Sequence, residues 1–267
     1  MRTVLAAIDA SPAAQPVLDT ALGMASLTDA TVEAVHVREM ATSTSQAIAS
    51  RRGVPIREVE GDVETCLLRE LNRDEVILGV VGARGTPTGR RPVGHTALQL
   101  LRRTAKPLVV VPPETMDATS GSPHRLLIAV EGTEESARPV TDRLAPLLGG
   151  NAELVAVHVF TTATAPPMID HPEWGLEAWG AEFLARYCPE ASQIDLRTGP
   201  VGGRVLDAAA DAAADLIVLS WSQDTSPGHA VVVQHVLERS PVPILLLPVD
   251  GRHATEDDDV GVRRRPR

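Results

Sequence analysis

The sequence contains itself twice, and this repeat limits what the chain can fold into more than any other feature. Val4-Leu5-Ala6-Ala7-Ile8-Asp9-Ala10-Ser11 returns as Leu126-Leu127-Ile128-Ala129-Val130-Glu131-Gly132-Thr133, and Ala34-Val35-His36-Val37 returns as Ala156-Val157-His158-Val159. Asp9 and His36 are 27 positions apart, as are Glu131 and His158. Gly61 and Gly82 are 21 apart, as are Gly199 and Ser220. Each half closes on an apolar run between prolines, Pro107 to Pro112 and Pro243 to Pro248. Equal intervals across separate matches mark a duplication, so the 267 residues hold two domains of ordinary size.

Within each half, strand-like and helix-like patterns alternate. The β-branched runs Val76 to Val81 and Leu216 to Leu219 suit strands covered on both faces of a parallel sheet. Between them lie segments of helical period, such as Val63 to Asn72 and Arg204 to Ala214. Alternation at this length means βαβ units and a doubly wound α/β fold. The expected division is a first domain over 1–115, a link over 116–124 rich in Ser, Thr, Gly and Pro, a second domain over 125–250, and a tail over 251–267. That tail, with Glu256 to Asp259 followed by Arg263 to Arg265, lacks apolar periodicity and is expected to be disordered.

A formal net charge of −10 disfavours phosphate backbones and anionic lipid heads, so neither nucleic acid nor membrane is an expected partner. Cys66 and Cys188 have no metal-type spacing and read as free thiols of a reducing cytoplasm. The opening Met1 to Ile8 has an apolar run too short for a leader and is broken by Asp9, so it reads as the first strand. The expected location is cytoplasmic.

A small anionic ligand remains compatible with an acidic surface, because main-chain amides and helix N-termini bind anions without a basic patch. In an open α/β sheet such ligands sit beyond the carboxyl ends of the strands, where the strand order reverses. Two first-half segments carry suitable chemistry there. Asp9-Ala10-Ser11-Pro12 closes the first strand, with Ser11 as an expected N-cap and Pro12 at the first helical position. Gly82-Ala83-Arg84-Gly85 closes the fourth strand and leads, through Arg90 and Arg91, to Gly94-His95-Thr96 and another helix. Glycines let the main chain approach phosphate closely, and the helix start adds donors and a favourable dipole.

These residues carry a resemblance to the universal stress protein family: a first strand ending in Asp-x-Ser, a Val after the second strand's His, and a fourth strand running into Gly-x-x-Gly. The resemblance implies a sheet order of 3-2-1-4-5 in each half, thus two parallel five-stranded sheets packed as a pseudo-dimer, with room for a further homodimer. It implies ATP as the ligand, with or without Mg²⁺, and binding and switching in a stress response rather than catalysis. The alternatives are a ligand-free scaffold with a vestigial loop, or a slow ATPase. By position, Asp9, Ala10 and Ser11 would meet ribose, phosphate or metal, and the Val37 main chain would meet adenine. Gly82, Arg84, Gly85, Gly94, His95 and Thr96 would wrap ribose and phosphates. Here the sequence departs from the family: the stretch before Gly94 is one residue short, and His95 stands where Ser or Thr follows the glycine.

The second half departs further. Glu131 replaces Asp9, Ser220-Trp221-Ser222-Gln223 replaces Gly82 to Gly85, and Glu134 and Glu135 follow Thr133. Three carboxylates there would repel phosphate, so this half is expected not to bind ATP. All six aromatics lie in this half: Phe160, Trp174, Trp179, Phe183, Tyr187 and Trp221. Trp179, Phe183 and Tyr187 share one helix face, expected to pack as core, with an interface, or a small ligand held between that helix and Trp221, as the alternatives.

Overall fold

A computed structural model of the chain describes residues 1–11, 13–38, 43–83, 93–112, 115, 121–149, 152–160, 175–224 and 230–249. The first half runs β1 (Thr3–Ala7), α1 (Ala14–Thr28), β2 (Thr31–Arg38), α2 (Ser43–Arg51), β3 (Ile56–Glu60), α3 (Val63–Leu71), β4 (Val76–Gly82), α4 (His95–Arg103) and β5 (Leu108–Val111). The second runs β6 (Arg125–Ala129), α5 (Glu134–Pro139) passing into a π turn at Val140–Leu144, β7 (Glu153–Phe160), α6 (Leu176–Tyr187), β8 (Gln193–Thr198), α7 (Val201–Asp211), β9 (Leu216–Trp221), α8 (Val231–Arg239) and β10 (Ile244–Pro248).

The strand order is β3-β2-β1-β4-β5-β10-β9-β6-β7-β8, so each half has the order 3-2-1-4-5. All pairings are parallel except β5 with β10, which is antiparallel, Val109 opposite Leu245. Instead of two separate sheets, the halves share one ten-stranded sheet through their last strands. The reason lies in composition: β5 and β10 are buried along their whole length, and an unpaired edge of such strands would leave a row of main-chain groups without partners.

Strand parity sorts the core into two layers. Leu5, Leu108, Val110, Ile244 and Leu246 join a cluster with residues of α3, α4, α7 and α8. Val4, Ala6, Val109, Leu245 and Leu247 join another with residues of α1, α2, α6 and the π turn. Gly79 lets α3 settle close to β4: a Cβ there would stand 2.4 Å from Leu71 Cδ2 and 2.9 Å from Leu108 Cδ1, and both buried side chains would have to shift. The repeat survives in polar detail. His36 Nδ1 donates to the Ile8 carbonyl at 3.0 Å, and His158 Nδ1 donates to the Val130 carbonyl at 2.8 Å, tying each second strand to the end of each first strand.

Two boundaries differ from the sequence reading. α1 starts at Ala14 rather than at Ser11 and Pro12, because Asp9 Oδ1 accepts the Ser11 amide (2.9 Å) and Ser11 Oγ accepts the Ala13 amide (3.2 Å), winding a turn before the helix. α7 starts at Val201, before Arg204, since the Arg204 amide already donates to the Pro200 carbonyl at 3.0 Å and closes the first turn. The tail, the central part of the link and the stretch 84–92 lie outside the described residues. Among the described residues no helix is long and apolar enough to cross a membrane.

Candidate functional site

β1 and β4 are neighbours, yet the chain leaves their carboxyl ends towards opposite faces of the sheet, to α1 and to α4, so a crevice must open between them. The structure has a cavity of about 690 Å³ at that point. Its lining brings together Asp9, Ala10, Val37, Gly82, Gly94, His95 and Thr96 from four separate stretches of chain. Ser11 does not line it; its hydroxyl is spent on the Ala13 amide. Arg84 and Gly85, with Arg90 and Arg91, lie outside the described residues.

The cavity has two chemical ends. One is apolar, walled by Val37, Val63, Leu67, Val81 and Leu100. β2 continues past its last pair with β1, Ala7 opposite Val35, and Ile8 N donates to the Val35 carbonyl at 3.0 Å. Alternate residues of a strand turn their main-chain groups to the same neighbour, so those of Val37 face the crevice where β1 has ended. The other end is polar and formed by the start of α4. The Gly94 amide donates to the Ala83 carbonyl at 2.8 Å, drawing the helix start back onto the end of β4. A Cβ on Gly94 would approach that carbonyl to 3.2 Å, so glycine permits the closure. The next amides of α4, which a helix leaves without internal acceptors, open on the cavity.

His95 does not stand alone at this mouth. Its Nε2 lies 3.0 Å from Glu64 Oε1, in the first turn of α3, and its side chain is 78% exposed, so the ring closes the outer rim rather than the floor. Asp62 caps the same helix by accepting the Thr65 amide at 2.9 Å, and hydrogen bonding from the Thr65 hydroxyl together with that amide holds its carboxyl below the usual carboxylate range. The Glu64 partner was not legible from the sequence, because nothing in local spacing brings the starts of α3 and α4 together. Among the described residues no cluster of His, Cys, Asp and Glu could hold a metal ion.

The second half solves the same position differently. Its aromatics surround His158: ring centroids of Phe183, Phe160 and Trp179 lie 4.6, 4.8 and 5.8 Å from the imidazole. Phe183 also closes on Gly132, where a Cβ would stand 2.9 Å from the ring. Gly132 has φ +87°, a conformation that its first-half counterpart Ala10 does not share. Trp179, Phe183 and Tyr187 thus pack together as part of the core. Trp221 lies on the other face of the sheet, so the alternative of a ligand between Trp221 and α6 is corrected: strand parity sends the two to opposite layers. Its indole Nε1 instead donates to the Leu101 carbonyl of α4, in the first half, at 2.9 Å.

The sequence profile of the universal stress protein family matches residues 123–248. Residues 123–248 belong to the universal stress protein family. The first half is built on the same fold, strand for strand. Two solved structures show the whole chain's architecture. A functionally unknown protein, PA1789 of Pseudomonas aeruginosa PAO1, has a TM-score of 0.70 at 15% identity, covering 94% of this chain and 93% of its own. A universal stress protein of Archaeoglobus fulgidus DSM 4304 has a TM-score of 0.62 at 14% identity, covering 92% and 98%. At such identities the likeness is one of fold. No curated protein sequence matches the chain. The family match falls on the half whose crevice is closed by aromatics, so what marks this universal stress protein domain is its strand framework rather than an open site.

Proposed function

We propose that the first-half crevice binds an adenine nucleotide, ATP in the first instance, and that the protein works as a nucleotide-responsive stress module rather than as a catalyst. The observation that carries this reading is the two-ended cavity at the strand switch. Its apolar end offers a flat base the main-chain edge of Val37, and its polar end offers phosphates the amides of α4 between two glycine approaches. A volume of about 690 Å³ is of the size that holds a nucleotide-sized ligand. Asp9, exposed at the rim, stands where a ribose hydroxyl or a Mg²⁺ carried by the phosphates would arrive. His95 sits beside the same phosphates and can release Glu64 to meet them. The chain's arrangement binds and orients; among the lining residues no second group is set to activate a water against a phosphate.

Isothermal titration with Mg-ATP, AMP and adenosine tests it. Binding at one nucleotide per chain is expected. Gly82→Val, which places a branched side chain in the cavity wall, is expected to abolish binding, while Glu131→Ala in the second half leaves it unchanged. Absence of binding at millimolar ATP would sink the reading.

A further inference from the structure

The C-terminal turn of α4 is held by the other half of the molecule. Trp221 Nε1 donates to the Leu101 carbonyl at 2.9 Å, Gln223 Nε2 donates to the Thr104 carbonyl at 2.6 Å, and Arg143 Nη1 donates to the Ala105 carbonyl at 2.8 Å. A helix leaves its last carbonyls without internal donors, and the second half supplies them from three separate places. The contact is built rather than incidental. Trp221 is only 5% exposed and packs in one cluster with Ala97, Leu100 and Leu101 of α4. Gln223 adopts φ +64°, a left-handed conformation uncommon for a residue with a Cβ, and this brings its amide to the helix end.

Among the described residues the arrangement is mirrored only in part: Thr115 Oγ1 of the first half donates to the Pro241 carbonyl beyond α8 at 3.5 Å, from a hydroxyl rather than from a buried ring. Trp221 and Gln223 occupy the positions that Ala83 and Gly85 occupy in the first half, and Ala83 has no donor to offer α8. The residues that the second half has in place of the glycine pattern are the ones that reach across. At its other end, Gly94, His95, Thr96 and Ala97 line the cavity, and Leu100, beside Leu101, forms its wall. α4 has nine residues, a span of about 13 Å at ~1.5 Å per residue, short enough to move as one rod.

We infer that the second half is a positioning partner for the first-half crevice: Trp221, Gln223 and Arg143 hold the C-terminal turn of α4, and so fix where its N-terminal turn stands. The second copy then contributes to a site it does not itself contain. This inference rests on the nucleotide reading only for the identity of the ligand; the hold on α4 is a property of the protein alone.

Hydrogen–deuterium exchange on the full chain tests it, with Trp221→Phe, which keeps a ring and removes the donor, and Gln223→Ala as the milder second variant. Exchange in peptides over 94–104 is expected to rise roughly 2- to 10-fold, the scale of one net hydrogen bond, with peptides of α1 unchanged. Mg-ATP titration of the same samples is expected to show affinity falling by a similar factor. Unchanged exchange over 94–104, or a rise spread evenly over the chain, would overturn the inference. So would loosening of α4 with ATP affinity unchanged. If wild-type protein binds no ATP and α4 still loosens selectively, the hold on α4 stands and the nucleotide reading fails.

Discussion

The two crevices of this molecule are one position in a duplicated frame, furnished in two ways. Both have a histidine on the second strand bonded to the last residue before the turn, His36 to Ile8 and His158 to Val130. Around His36 the next neighbour is polar, the Ser45 hydroxyl 3.3 Å from Nδ1, and a cavity remains. Around His158 the neighbours are three rings, and Phe183 lies against Gly132. The difference teaches that the strand framework does not decide whether the site is open. The helix after the second strand does: α6 carries aromatics at a four-residue interval, and α2 carries none.

The largest test of this comparison is Phe183→Ala. Phe183 is 7% exposed and touches His158, Trp179 and Tyr187, so truncation leaves a cavity that the sheet cannot collapse into. The expected loss of unfolding free energy is about 3–5 kcal/mol by urea denaturation. The variant should still not bind ATP, because Glu131, Glu134 and Glu135 remain at the mouth. Nucleotide binding gained in the second half would break the view that carboxylates as well as aromatics exclude it.

A smaller effect sharpens the same point from the main chain. Gly132→Ala adds a Cβ in a left-handed conformation, 2.9 Å from the Phe183 ring. The cost should be about 1–3 kcal/mol in the same assay. In Phe183→Ala the steric part is relieved and only the backbone strain remains, so the double variant should lose less than the two single losses together. Strict additivity would show that Phe183 and Gly132 do not meet.

The parts of this molecule legible in the sequence are those set by local pattern and by spacing. Equal intervals gave away the duplication, and apolar runs bounded by prolines marked β5 and β10, because strands buried on both faces leave continuous apolar runs. Convergence of Asp9, Val37, Gly82 and Gly94 on one cavity followed from the rule that crevices open where strand order reverses. Contacts between parts distant in sequence were not legible. Trp221 reads as an aromatic in the place of a loop residue, and its partner is a carbonyl 120 positions away. The His95 and Glu64 pair joins two helix starts whose approach depends on α3 settling onto Gly79. The cap expected at Ser11 moved because Asp9 and Ser11 satisfy each other's turn before the helix begins, a competition between two local hydrogen-bonding schemes that composition alone cannot rank.

The subtlest difference between the halves should appear as a pH dependence. Burial among Phe160, Trp179 and Phe183 pushes the His158 ring below the ordinary histidine value, against the opposing pull of the Val130 carbonyl and the Glu131 charge. The folded state therefore takes up this proton less readily than the unfolded chain. Above the ordinary value of 6.5 both states have a neutral ring, and His158 adds no pH dependence. As pH falls through that value the unfolded chain gains the proton first, so stability declines. Urea midpoints at pH 7.5 and 5.5 should therefore fall further apart in the wild type than in His158→Gln, whose amide can still donate to the Val130 carbonyl but cannot titrate. Equal spacing in the two proteins would mean that the aromatic shell does not exclude charge from this ring, and with it would go the physical distinction between the closed crevice and the open one.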